Sequence, residues 1–166
     1  EGWDRFLETG AREEIGPPLA SSPVIEVAGP RILKAYRRMR KRGKGVDVDP
    51  PAALLHRLRI DGKKLRYLLE FFSDLYARST VTRFIGELKQ LQDILGDFND
   101  TVVQLGLIAE FAENSFGFST AVASTKDFTR AITERQRGLR AEFAQRFALF
   151  AGDESRKLYK KTFKAS

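Results

Sequence analysis

The stretch that most limits what this chain can fold into runs from Val81 to Leu105. Val81, Phe84, Leu88, Leu91, Leu95, Phe98, Val102 and Leu105 recur at heptad spacing over more than three heptads, which places them on one helical face. A seam of that length must be covered by other helices. A free-standing coiled coil is the competing arrangement, but Gly86, Gly96 and Gly106 in the same run favour close packing inside a globular bundle. Beside the seam, Gln92 and Asn99 lie seven residues apart on a shoulder, as candidates for buried hydrogen-bonding partners of a neighbouring helix.

The remaining segments supply those helices. Ser22 and Pro23 offer a helix start, and Pro30 is expected to kink whatever precedes it. From Arg31 to Arg42, Ile32, Leu33, Tyr36 and Met39 make an apolar side, while Arg31, Lys34, Arg38, Lys41 and Arg42 form a stripe opposite. Gly43 ends that helix, and Asp49-Pro50 is read as the cap and first turn of the next. There Leu54, Leu58, Leu65, Leu69 and Phe72 share one face, and His56, Arg59, Lys63 and Arg66 the opposite one. Gly62 falls on the apolar flank, where a missing side chain admits a neighbour. Asp61 is expected to point away from the basic face without neutralising it. A loop around Gly117 (114–125) precedes an amphipathic helix from Lys126 to Phe150, with Phe128, Ile132, Leu139, Phe143 and Phe150 on one face. There is no strand-type alternation, so the chain reads as all-α, an antiparallel four-helix bundle. Its divisions are an initial helical segment and linker (1–20), the bundle (21–152) and a mixed-charge tail (153–166).

Charge is the second constraint. The chain of 166 residues carries a net charge of +7, and the excess is local. Between Arg31 and Arg66 lie 13 of the 29 bases but only 3 of the 22 acids, leaving 16 bases and 19 acids elsewhere. A basic field confined to two neighbouring helices is the footprint of a polyanion site. Short connections make antiparallel neighbours, so Arg31, Lys34, Arg38 and Lys41 are expected to share one groove with His56, Arg59, Lys63 and Arg66. The stripe from His56 to Arg66 spans about 15 Å of helix axis, which suits an extended chain of phosphates. Taken alone, RRMRKRGK also fits a nucleic-acid patch.

Other chemistries fit poorly. His56 is the single histidine, and no carboxylate stands where it would orient the ring. Cysteine is absent, which removes thiolate catalysis and Cys-based zinc sites and is compatible with a reducing cytosol. Asp93, Asp97 and Asp100 lie at i, i+4 and i+7 on a helix that continues past them, whereas calcium sites use loops. Asp100 is assigned to a structural partnership. No metal, cofactor or catalytic residue is therefore expected. Nor is a membrane partner, since no run approaches the roughly 20 apolar residues of a span. The opening EGWDRFLETG lacks the features of a secretory signal and an initiator Met, which suggests a trimmed or excised chain.

The spacing His56, Arg59, Lys63, Arg66, followed by Tyr67 and the pair Phe71-Phe72, resembles the signature of CHAD domains, the conserved-histidine α-helical domains. LKQLQDILGDFND (88–100) resembles the family's second signature, most recognisably at Leu95-Gly96 and Asn99-Asp100. The resemblance is to the family's C-terminal half, over roughly residues 25–150, with 1–20 similar to the end of a preceding half. It implies non-catalytic binding of inorganic polyphosphate in a basic groove. On this reading Arg31, Lys34, Arg38, Lys41, His56, Arg59, Lys63 and Arg66 contact the ligand, and Gln92, Asn99 and Asp100 support the groove from behind. A cytoplasmic location, in association with polyphosphate granules, goes with it. A lone half would also expose apolar surface and self-associate. Two other readings stand beside this one, a nucleic-acid-binding domain and a helical interaction module whose basic face is merely solvated.

Overall fold

A computed structural model of the chain describes residues 23–46, 49–114 and 119–164. Five α-helices follow one another among them: α1 (Val24–Arg42), α2 (Ala52–Phe71), α3 (Arg78–Asn114), α4 (Ser119–Ala151) and α5 (Asp153–Phe163), with a 3₁₀ turn at Ser73–Leu75 between α2 and α3. Each helix packs on the next in sequence, and α5 also returns to α1, so the succession closes into an all-α bundle.

The core is built from the faces that periodicity marks. Ile32, Leu33, Tyr36 and Met39 of α1 meet Leu58, Leu65 and Leu69 of α2 and the α3 seam from Val81 to Phe98; Leu55 is buried with them, whereas Leu54 and Phe72 of the expected α2 face are only partly buried. Pro30 does not break α1, which runs through it. Ser22 lies outside the described residues, and Pro23 occupies the cap position. Pro51 rather than Asp49 caps α2; Asp49 instead pairs with Arg140 of α4. Gly62 is buried between Met39 of α1 and Gln92 of α3, but a Cβ there would meet them at ordinary contact distances of 3.4 and 3.6 Å, so the approach does not require glycine, and Gly86, Gly96 and Gly106 face open space rather than a close neighbour.

Three expectations are corrected. The C-terminal tail is a packed helix, because Ser155, Tyr159 and Phe163 recur every four residues and all three are buried. Tyr159 stacks on Tyr36 with ring centroids 3.8 Å apart and on Phe84 at 4.0 Å. Asp153 and Glu154 in its first turn, with Lys160 and Lys161 in its last, also suit the helix dipole. The seam, in turn, is buried only as far as Phe98. Val102 is exposed and Leu105 half-exposed. Helix lengths supply the reason: Gly62 lies beside Gln92, so in an antiparallel pair the start of α2 at Ala52 falls level with Val102. Beyond that point α3 has no α2 to cover it, and its end runs on with the start of α4, where Phe128 is exposed too. The loop expected over 114–125 is shorter, since α4 begins at Ser119; Gly117 lies outside the described residues.

Candidate functional site

Helices α1 and α2 meet along a cleft of about 240 Å³. From α1 come Arg31, Lys34 and Arg38, three residues of the expected stripe; from α2 come Lys64, Asp61 and Leu68. At 100° per residue, Asp61, Lys64 and Leu68 form the flank of α2 that looks toward α1. Arg59, Lys63 and Arg66 project from the other side of α2, away from Asp61 and Lys64. The α2 base that meets the α1 stripe is therefore Lys64, one position from the expected Lys63.

Asp61 departs furthest from expectation. It does point away from His56–Arg66, but this directs it into the α1 stripe, where its carboxylate is buried with Oδ1 3.2 Å from Arg38 Nε and Oδ2 3.2 Å from Arg42 Nη1. Neither contact has hydrogen-bond alignment, so the desolvated carboxylate is compensated chiefly by charge. Arg42 also reaches the carbonyl of Arg57 on α2 at 3.4 Å. The acid thus holds the two helices together and neutralises part of the basic surface that the spacing left uncompensated.

The rest of the expected site is spread around this cleft. His56 is exposed, while Arg59, Lys63 and Arg66 are half-buried. Arg66 Nε sits 3.6 Å from Glu70 Oε1, and its guanidinium lies over the ring of Tyr67, 5.4 Å from the centroid. Lys41 is on the other side of the α1 crest, in a separate cleft with Arg37, Arg40 and Lys44. Of the supporting residues, Gln92 is half-buried with Nε2 occluded and without a hydrogen-bond partner, next to Gly62. Asn99 is half-buried. Asp100 is exposed, which does not fit a buried partnership; the buried polar group of that turn is Thr101, whose hydroxyl donates to the carbonyl of Phe98 at 2.6 Å. Asp97, one of the three spaced acids, pairs with Arg135 of α4 at 3.0 Å.

Sequence reasoning placed Arg42 in the α1 stripe and Asp61 off the basic face but missed their pairing, and it missed Lys64. The i, i+3 pair Asp61-Lys64 and the i, i+4 pair Arg38-Arg42 were visible, but which flank of α2 faces α1 was not. No helix among the described residues is long and apolar enough to cross a membrane.

The described residues thus form an all-α bundle whose α1 and α2 bring Arg31, Lys34, Arg38 and Lys64 to one cleft. The model of the CHAD domain family matches residues 1–109, about two thirds of the chain, and the chain belongs to that family. The match begins earlier and ends sooner than the expected 25–150: it takes in α1, α2 and most of α3 and leaves α4 and α5 outside. No curated protein matches the chain.

Proposed function

We propose that the chain binds inorganic polyphosphate on the basic surface of α1 and α2, without catalysis. The observation that carries this reading is the alignment of Arg31, Lys34 and Arg38 with Lys64 along one cleft whose single acid is already engaged by two arginines. Family membership adds to it, since CHAD domains are known for polyphosphate binding. Arginine forks and lysine point charges both suit phosphate oxygens, while the apolar floor of Ala35 and Leu68 supports the alkyl stems of the long bases. His56, Arg59, Lys63 and Arg66 extend the positive field over the crest of α2, and a chain long enough to cross that crest meets both sets. A cytoplasmic site of action at polyphosphate granules follows from the same reading.

Nucleic acid is the second reading, and one observation favours it: Tyr67 is more than half exposed beside Arg66, as a stacking platform requires. Competition between long-chain polyphosphate, single-stranded RNA and heparin at near-physiological salt separates the two. Polyphosphate displacing both at lower concentration is the expected result. Equal competition by RNA returns the face to a generic basic surface. Affinity should also rise with polyphosphate chain length and fall with salt, by analogy with DNA at roughly 0.7 to 0.9 in log–log slope per neutralised phosphate.

A further inference from the structure

The outward bases of α1 serve two clefts. Arg37, Arg40 and Lys41 near the helix end, with Lys44 in the turn beyond it, line a second cleft of about 480 Å³ on the far side of the crest. Its other wall is the last turn of α4, at Phe147, Ala148 and Ala151, and none of its lining residues is acidic. These are the bases of the RRMRKRGK run that the α1/α2 cleft leaves unused.

The cleft is shaped as well as charged. Arg40 is half-buried and fixed at two points: its Nε donates to the carbonyl of Ala151 at 2.8 Å, and its guanidinium lies 5.7 Å from the centroid of the Tyr36 ring. Gly43 forms the floor against Phe147, in a contact so close that a Cβ there would overlap the ring. Gly45 then turns the chain at φ 86°, a conformation glycine adopts without steric cost. Backbone hydrogen bonds from Lys44 to Lys41 at 3.3 Å and from Val46 to Gly43 at 3.0 Å hold that turn, which carries Lys44 back toward Arg37 and Lys41.

Two helix C-termini, those of α1 and α4, converge here and oppose an anion. Each contributes roughly half a negative charge, about one in total, against four full positive charges. The cations win. Phe147 is buried, so no aromatic face is offered for base stacking, and the four cations gather around one volume rather than along an axis. We propose that this cleft is a second oxyanion site, which takes a compact, multiply charged phosphate such as pyrophosphate independently of the α1/α2 cleft. The site stands whether or not a long polyphosphate binds elsewhere.

The test is a titration of the full chain with inorganic pyrophosphate at constant ionic strength, followed through backbone amide resonances. Saturable shifts at Gly43, Gly45 and Val46 are expected. The double variant Arg37→Ala/Lys44→Ala, both residues being exposed, should keep its melting temperature and weaken that response at least tenfold. Shifts that grow without saturating, or that equal those from sodium chloride at the same ionic strength, overturn the proposal. So does loss of the Gly43–Val46 response in Lys64→Ala, because the two clefts would then be one site; persistence of the response in that variant supports independence. Long-chain polyphosphate, titrated in parallel, reads the α1/α2 cleft separately.

Discussion

Asp61→Asn should make the domain less stable and a better anion binder at once. Breaking a buried ion pair by removing one partner costs about 3–5 kcal/mol. Here the side chains of Arg38 and Arg42 are 56% and 27% exposed, so solvent screens them and they rehydrate when released. Asparagine keeps an acceptor as well, and the expected loss is about 1–2 kcal/mol. For a chain of this size that corresponds to a fall in melting temperature of roughly 3–6 °C. Ligand binding moves the other way. A phosphate held on the outer side of Arg38 would stand roughly 6 Å from the carboxylate, where two unit charges repel by about 0.7 kcal/mol at the dielectric of water and about 2.8 kcal/mol at an effective value of 20. Given the exposure of Arg38, about 1 kcal/mol applies, a gain of roughly fivefold in affinity. Thermal melting and calorimetric titration with polyphosphate, run in one buffer, check both signs. If affinity falls together with stability, Asp61 positions Arg38 for the ligand rather than competing with it, and the electrostatic account is refuted.

Lys64→Ala should lower polyphosphate affinity and the salt slope together, while Arg130→Ala, an exposed base paired with Asp127, should change neither; binding titrations at three salt concentrations read both. Tyr36→Phe removes hydrogen bonds to the Phe150 carbonyl and to Ser155 and should cost about 1 kcal/mol, whereas Tyr159→Phe removes a buried hydroxyl without a partner and should be neutral or stabilising; equal losses in denaturant unfolding would contradict this. Burial raises the hydroxyls of Tyr36 and Tyr159 above the ordinary tyrosine value of 10.0, that of Tyr159 well above it. Because the folded state holds these protons more tightly, their contribution to stability is fully present below pH 10 and declines as the pH rises beyond it. Unfolding free energies measured from pH 8 to 11 should therefore fall only above about 10, and less steeply in Tyr159→Phe.

Much of the bundle was legible because its faces are periodic. Ile32, Tyr36 and Met39, or Phe84, Leu88 and Leu91, can be buried only on one side of a helix, and that side is the core. The burial of α5 was equally present in the spacing of Ser155, Tyr159 and Phe163, but the bases among them read as a solvated end. The extent of the α3 seam was less accessible. Val102 continues the register faultlessly and is exposed because α2 starts level with it, which depends on where another helix begins.

The candidate site divides along the same line. The sequence by itself determined the all-α class, the local excess of bases from Arg31 to Arg66 and the family signatures around His56 and Asn99, since these are properties of residue type and spacing along one chain. Only the tertiary structure decided that Lys64 meets the α1 stripe, that Asp61 is drawn between Arg38 and Arg42, and that Lys41 turns to a different cleft with Arg37, Arg40 and Lys44. A helix carries residues on all sides at fixed angles, but nothing within it says which side the next helix will take; that is set by packing against Met39, Gly62 and Gln92, and the charges follow.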